Sequence, residues 1–201
     1  SGAKPLLLTH GWPGSVFEFH KIIPMLTEPE KFGGSADQAF HVVAPSIPGY
    51  GFSSAPTRRG FGLIDTVHTF AKLMARLGYS SFVAQGGDWG SLVTHGMGVL
   101  YPELCTAIHL NMLVGVGGTP DPSKWTETEK ADVQATQAFV QHETAYQALQ
   151  ASKPQTLSFG LSDSPSGLAA WILEKFRTWS DCDGDLLSVF TIDELLTNIT
   201  V

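Results

Sequence analysis

Short runs of bulky apolar residues recur along the first half of the chain, and stretches with helical spacing separate them. The apolar runs do not alternate with polar residues, which is typical of strands buried on both faces of a parallel sheet. Such strands are predicted for residues 6–9, 40–44, 82–86 and 106–114. Helices are predicted for residues 15–26, 63–77 and 92–100, the first of them distorted by Pro24. This alternation predicts an α/β fold with a mostly parallel sheet and right-handed crossovers.

The pattern changes after residue 114. Residues 115–118 read Gly-Val-Gly-Gly, and they lack the third glycine and the following helix of a dinucleotide-binding loop, so we interpret them as a hinge. From residue 121 onward the chain is polar with helical character, and it has no further long apolar run. We therefore predict a sheet-containing core over residues 1–114 and a helical segment over residues 115–201.

Composition narrows the classes of function. The 201 residues are 43% hydrophobic and carry a formal net charge of −7 without a basic cluster, which argues against nucleic acid and anionic membranes as partners. No run reaches the roughly 18 apolar residues that a membrane span requires. Two cysteines, Cys105 and Cys182, indicate a reducing compartment and no disulfide framework. Small neutral substrates and a cytoplasmic location fit these features, although an anchor preceding Ser1 stays an open alternative.

Asp88 is the strongest candidate for chemistry. It follows an apolar strand in a sharp turn, flanked by small residues at Gly86 and Gly90, and a helix comes after it. This is the form of a nucleophile elbow, which holds a side chain exposed at the carboxyl edge of a sheet. With no serine or cysteine at its centre, the turn points to a carboxylate nucleophile. The alternative is that Asp88 caps the following helix.

Two further loops support the first interpretation. Residues 10–15 read His-Gly-Trp-Pro-Gly-Ser after an apolar strand, and backbone N–H groups in such a loop, with Trp12 the best candidate, can point into a pocket. Residues 48–53 read Pro-Gly-Tyr-Gly-Phe-Ser after the next strand, and residues 163–172 read Asp-Ser-Pro-Ser-Gly-Leu-Ala-Ala-Trp-Ile. Over nearly all 201 residues, this combination resembles an epoxide hydrolase of the α/β-hydrolase superfamily, in the microsomal-like branch.

The resemblance implies a fold, a reaction and a set of residues. It implies a helical lid inserted after the sixth strand, and catalysis without a metal or cofactor on a small apolar epoxide. Asp88 would form an alkyl-enzyme ester and Tyr146 in the lid would bind the epoxide oxygen. The backbone N–H groups of Trp12 and Trp89 would form the oxyanion hole. His10 and Pro13 would line the substrate pocket.

The resemblance also implies parts that we do not find in the chain. The family's histidine base and its acid partner follow later strands, none of the seven histidines matches that base, and a second lid tyrosine is expected beyond Val201. We therefore expect a piece of an enzyme that cannot turn over. Two alternatives stay open: a haloalkane dehalogenase, with which Trp89 is compatible, and a non-catalytic module that binds a small apolar ligand. The oligomeric state is not readable from the sequence.

Overall fold

A computed structural model describes residues 2–113 and 121–201. These residues divide into two compact units. The first contains residues 2–113 and 190–201, and the second contains residues 121–189. The predicted hinge at residues 115–118 lies outside the described residues.

The first unit is built on a four-stranded, all-parallel sheet. Its strands are β1 (Lys4–Thr9), β2 (Phe40–Val43), β3 (Phe82–Gly86) and β4 (Cys105–Leu110). The spatial order is β2-β1-β3-β4, which places β1 and β3 side by side although β2 lies between them along the chain. The predicted α/β architecture with a parallel sheet is confirmed. The last strand ends at Leu110, four residues before its predicted end.

Four α-helices belong to this unit, namely α1 (Ile22–Thr27), α2 (Leu63–Arg76), α3 (Trp89–Leu100) and α8 (Ile192–Thr200). The helix predicted over residues 15–26 is instead a 3-10 turn, Val16–Phe19, followed by the short α1. Pro24 explains the late start of α1, because proline has no N–H and is tolerated only in the first turn of a helix. The third helix begins at Trp89, three residues earlier than predicted, because the Asp88 turn leads directly into it.

Apolar residues cover both faces of the sheet. One cluster packs α2 and α3 against one face and includes Leu7, Phe70, Met74, Val93 and Met97, all buried. A smaller cluster on the other face joins Leu6 and Leu8 of β1 to Phe19. Consecutive residues of β1 are thus buried on opposite sides, which explains why this strand is uniformly apolar.

The second unit is helical, with α4 (Glu127–Glu143), α5 (Ala145–Ser152), α6 (Pro154–Asp163) and α7 (Pro165–Trp179). Local signals set their boundaries. Thr126 and Glu129 form a capping box at the start of α4. Pro154 and Pro165 are the first residues of α6 and α7, where a backbone N–H would have no partner within the helix. No helix in either described range is long and apolar enough to span a membrane.

The C-terminal helix departs from the predicted division at residue 114. The predicted helical segment includes residues 190–201, whereas these residues group with the sheet unit. Two contacts hold α8 there: Lys21 Nζ lies 2.7 Å from Glu194 Oε1, and Asn198 donates a hydrogen bond to the carbonyl of Pro13 over 3.4 Å. These partners are far apart in sequence, so no local pattern could have revealed them.

Candidate active site

Asp88 occupies a backbone conformation that few non-glycine residues adopt. It lies between the end of β3 and the start of α3 with φ 51° and ψ −126°. Positive φ brings Cβ close to the backbone of an L-residue, so such conformations persist only where the surrounding structure enforces them, and they are concentrated at functional sites. The turn therefore projects the Asp88 side chain away from the helix that follows.

Two glycines are required for this turn because backbones approach closely. A Cβ added at Gly86 would lie 2.0 Å from the carbonyl oxygen of Gly90, and one added at Gly90 would lie 1.9 Å from the carbonyl oxygen of Thr9. The first contact is within the elbow, between the end of β3 and the start of α3. The second contact is between the elbow and the end of β1. The small residues recognised in the sequence thus reflect the close packing of the turn against its neighbouring strand.

The Asp88 carboxylate faces the loop after β1. Its Oδ1 accepts a hydrogen bond from the backbone N–H of Trp12 at 2.8 Å, and it makes no capping hydrogen bond to α3. Gly11 touches the same side chain, since an added Cβ would lie 2.3 Å from both Cβ and Oδ1 of Asp88. This geometry favours the nucleophile interpretation over the helix-cap alternative.

The other predicted members of the oxyanion hole and pocket lie around this contact. Trp12 and Pro13 are both half-buried and are joined by a cis peptide bond. Trp89 is the first residue of α3, directly after Asp88, and 47% of its surface is exposed. Its backbone N–H is adjacent to the nucleophile in the chain, while its part in an oxyanion hole stays a prediction.

His10, which is predicted to line the substrate pocket, has contacts from both ring nitrogens to the backbone, and its place in a pocket stays a prediction. Its ring is fully buried, Nε2 accepts a hydrogen bond from the Ile47 N–H at 3.0 Å, and Nδ1 lies 3.0 Å from the Gly11 carbonyl. Because one nitrogen must accept and the other donate, these contacts select the neutral tautomer with a proton on Nδ1. Burial lowers the pKa of His10, against smaller raising effects of the Gly11 bond and the Asp88 charge. The ring links the loops after β1 and β2.

Two ionisable residues near Asp88 were not assigned a role from the sequence. Burial, followed by the charge of Asp88, raises the pKa of Glu18 to about 7, against a smaller effect of a Gly11 backbone hydrogen bond. Burial and the Asp88 charge also raise the pKa of Tyr50, whose ring packs edge-on against His10 with centroids 5.5 Å apart. Glu18 could have been noticed as a carboxylate set between two phenylalanines just after the oxyanion loop.

Tyr146, the predicted proton donor, lies in α5 of the second unit and is half-buried. Its ring packs edge-on against Trp179, with centroids 5.4 Å apart, and Lys175 Nζ lies 5.3 Å from its centroid. Lys175 is 5% exposed, and its Nζ contacts carboxylate oxygens of Glu143 at 3.1 Å and Glu174 at 2.9 Å. This buried cation and the two aromatic rings form a packed cluster within the helical unit.

Within residues 2–113 and 121–201, no group of three or more histidine, cysteine or acidic side chains is arranged to hold a metal ion. Polar groups of the acidic turn after α7 form local hydrogen bonds. The Asp185 side chain accepts a hydrogen bond from the Leu187 N–H, and Arg177 donates one to the Gly184 carbonyl. Cys105 and Cys182 are buried free thiols.

Comparison with known proteins extends these observations. The α/β hydrolase fold family matches residues 4–184. A Stigmatella aurantiaca protein provisionally named an epoxide hydrolase is 50% identical over 200 residues, which cover 99% of this chain and 45% of that protein. Epoxide hydrolase 1 of Oryctolagus cuniculus is 44% identical over 225 residues, which cover 98% of this chain and 48% of that protein.

A solved structure of an epoxide hydrolase is also similar to this chain. The crystal structure of juvenile hormone epoxide hydrolase from the silkworm Bombyx mori superposes with a TM-score of 0.86 and 39% identity, over 100% of this chain and 51% of that one. The chain thus spans about half the length of the proteins it matches. With the family match over residues 4–184, the parallel sheet and the elbow at Asp88, the chain belongs to the α/β hydrolase fold family.

Proposed function

We propose that the complete protein is an epoxide hydrolase that opens a small apolar epoxide to a vicinal diol through an ester at Asp88. The observation that carries the proposal is the hydrogen bond from the Trp12 N–H to Asp88 Oδ1, because it distinguishes the two carboxylate oxygens. Oδ1 lies in a donor site suited to a carbonyl oxygen or an oxyanion, which leaves Oδ2 to attack.

In the first half-reaction, Oδ2 of Asp88 forms a bond to an epoxide carbon while the strained C–O bond breaks. The electron pair of that bond passes to the epoxide oxygen, which takes a proton from Tyr146 acting as general acid. The product is an ester between Asp88 and a β-hydroxyalkyl group. A carboxylate suits this attack because it is ionised at neutral pH and needs no base to become a nucleophile.

In the second half-reaction, water attacks the ester carbonyl carbon of Asp88. Negative charge then develops on Oδ1, where the backbone N–H groups of Trp12 and Trp89 would stabilise it. Collapse releases the diol and restores the carboxylate, and a base must accept the proton of the attacking water. Among the described histidines, His10 is electrostatically coupled to Asp88, but both of its ring nitrogens already contact backbone groups. We therefore do not assign the base to His10, and because none of the seven histidines matches the family's base, we expect the ester to accumulate.

The names of the relatives support the substrate class. The rabbit and silkworm proteins are named as epoxide hydrolases, and the second name specifies juvenile hormone. We extend only the epoxide group to the present protein, because it is the group that the two names share.

The test is the intact mass of the folded chain after incubation with a reactive aryl epoxide. Wild type and Asp163→Asn, a matched control at the exposed end of α6, are expected to gain one epoxide mass, and Asp88→Asn is expected to gain none. Absence of the adduct from a wild-type sample with a folded circular dichroism spectrum would overturn the proposal.

The same samples separate the alternative functions. A haloalkane dehalogenase would release halide from a bromoalkane and leave the aryl epoxide intact. A non-catalytic module would bind the epoxide reversibly, so that dialysis would remove all of it from wild type and Asp88→Asn alike. Neither result is expected.

A further inference from the structure

A buried cation lies beside Tyr146, the residue proposed to protonate the epoxide oxygen. Only 5% of the Lys175 surface is exposed, and its Nζ lies 5.3 Å from the centroid of the Tyr146 ring. The same atom lies 5.5 Å from the centroid of the Trp179 ring, and the two rings pack edge-on with centroids 5.4 Å apart. The ammonium group is therefore within cation–π range of two aromatic rings that also contact each other.

Oxygen atoms of two glutamates fix the position of this cation. Lys175 Nζ donates hydrogen bonds to the backbone carbonyl of Glu143 at 3.2 Å and to Oε2 of the same residue at 3.1 Å. It also lies 2.9 Å from Oε2 of Glu174. Lysine is rarely buried unless it is paired in this way. An ammonium group has three N–H donors, so these oxygens leave it little freedom to move.

The same cation holds the corner between α4 and α5. Glu143 is the last residue of α4, and Tyr146 follows it in the first turn of α5. The last carbonyl groups of a helix have no partner within it, and a positive charge suits them. At the other end of α5, Trp171 Nε1 on α7 donates a hydrogen bond to Gln150 Oε1 at 3.0 Å. Both ends of α5 are thus bound to α7, and Lys175 provides the contact at the end that carries Tyr146.

We propose that Lys175 is a positioning residue for Tyr146, and that its ammonium group fixes the orientation of the phenol ring that delivers a proton to the epoxide oxygen. The catalytic part of this inference rests on the proposed function. The part that concerns the ring does not, because it depends only on contacts within the helical unit. Packing alone does not require a cation here, because an apolar side chain of similar volume often replaces a buried charge without loss of stability.

A fixed ring matters because Tyr146 has to present its hydroxyl group to a single oxygen atom. Rotation about the two side-chain bonds of a tyrosine gives several low-energy positions of the hydroxyl group. The contacts with Lys175 and Trp179 both restrict this rotation. A general acid has to lie within hydrogen-bond reach of the atom that it protonates. Loss of the Lys175 cation should therefore slow the step that breaks the epoxide C–O bond.

The first experiment measures the orientation of the ring without any reaction. Ring ¹³C and ¹H signals of labelled tyrosine are compared in wild type, Lys175→Met and Lys175→Gln, and Tyr146→Phe identifies the signals of Tyr146. Lys175→Gln can still donate a hydrogen bond to the Glu143 carbonyl, so it removes the charge and retains a donor at the helix corner. We expect nuclear Overhauser contacts between the Tyr146 and Trp179 rings in wild type and weaker contacts in both variants. Unchanged contacts in a folded variant would overturn the inference.

Two controls show that the change is local. Lys130→Met removes an exposed lysine of α4 that pairs with Glu127, and it should leave the Tyr146 signals as they are in wild type. The signals of Tyr50, Tyr79 and Tyr101, which lie in the sheet unit, should not change in any of the variants. If Lys175→Met does not fold, Lys175→Gln decides the question.

The second experiment measures the consequence for chemistry as the maximum rate of epoxide adduct formation and the epoxide concentration that gives half of this rate. We expect Tyr146→Phe to lower the maximum rate about 100-fold, which is a typical contribution of a general acid. Lys175→Met should lower it about tenfold through partial loss of orientation, with little change in the half-saturating concentration. Lys175→Arg, which retains a cation, should recover most of the rate, and Lys130→Met should react like wild type.

A double variant separates the orientation of Tyr146 from a general effect on the fold. If Lys175 acts through the Tyr146 hydroxyl group, adding Lys175→Met to Tyr146→Phe should lower the rate by less than about twofold. An equal loss of rate in both backgrounds would show a purely structural role and overturn the inference. If wild type forms no adduct, or if Tyr146→Phe reacts as fast as wild type, the proposed function fails in that respect, and the ring contacts alone decide whether Lys175 orients Tyr146.

Discussion

Trp12 donates its backbone N–H to Oδ1 of Asp88 at 2.8 Å, although the two residues are 76 positions apart in the chain. Strand pairing makes this contact possible: β1 and β3 are parallel neighbours, with Thr9 paired to Gly86, so the loops that leave their carboxyl ends meet at one edge of the sheet. Ligands of open α/β sheets bind at this edge. The contact holds one carboxylate oxygen in place, and in the proposed mechanism the other oxygen attacks the epoxide.

The close approach of Gly11 to Asp88 predicts a selective loss of reactivity. In Gly11→Ala the new Cβ would overlap Asp88 atoms at 2.3 Å, so the carboxylate must move away from the Trp12 N–H. A displacement of this size can reduce the rate of a positioned reaction by about 100-fold. The rate of epoxide adduct formation, followed by intact mass, measures this loss. Gly2→Ala, which has open space around it, is the control and should react like wild type.

Gly90 predicts a loss of stability instead. A Cβ at this position would lie 1.9 Å from the Thr9 carbonyl oxygen. Because both contacting groups belong to the backbone, the overlap can be relieved only if the elbow moves away from β1. We expect Gly90→Ala to lower the free energy of unfolding by at least about 3 kcal/mol. In Gly160→Ala, where the helix interior has room for a methyl group, stability should rise by about 0.5–1 kcal/mol. Urea denaturation compares the two, and equal effects would contradict the packing argument.

His10 predicts a pH dependence of stability with a definite sign. Burial lowers the pKa of His10 in the folded chain, so the unfolded chain binds this proton more tightly. The stabilising contribution is complete above the unfolded pKa of 6.5 and is lost as pH falls below it. Between pH 7 and pH 5, wild type should therefore lose more free energy of unfolding than His10→Gln does. Parallel pH curves for the two chains would contradict this prediction.

Glu18 is expected to change stability with pH in the direction opposite to that of His10, over a pH range that overlaps with the range of His10. Its pKa is raised to about 7 from 4.5, so the folded chain holds the proton more tightly and this stabilisation is lost as pH rises through that interval. In Glu18→Gln this loss should disappear, and the remaining pH dependence should follow His10 more closely. Urea denaturation at several pH values tests this, and Glu103→Gln should behave like wild type.

Lys175 predicts that the helical unit depends on a buried charge. Replacing it in Lys175→Met would remove the hydrogen bonds that the buried ammonium group donates to Glu143, and hydrogen bonds to charged groups contribute about 1.5–3 kcal/mol. The matched control is Lys130→Met, whose exposed pair with Glu127 is worth at most about 1 kcal/mol. Thermal unfolding of both variants measures the difference. A Lys175→Met chain as stable as the control would show that the charges are compensated elsewhere.

The sequence determined the parts of the molecule that local patterns encode. Uniform apolar runs predicted strands buried on both faces, and helical spacing predicted α2 almost to its ends. The glycines around Asp88 predicted the elbow, because close backbone approach excludes a Cβ whatever the distant surroundings are. The resemblance to epoxide hydrolases rested on this elbow together with the sequences of residues 10–15, 48–53 and 163–172. The position of Tyr146 relative to Asp88 stays a prediction.

Only the tertiary structure decided which side chains share the environment of Asp88. The His10 ring links the loops after β1 and β2, the pKa of Glu18 depends on burial and on the charge of Asp88, and α8 groups with the sheet unit. In each case the deciding quantity was burial or electrostatic interaction between segments far apart in the chain. Sequence spacing does not encode those quantities, because loss of hydration and proximity of charge arise only when the strands are paired and their loops converge.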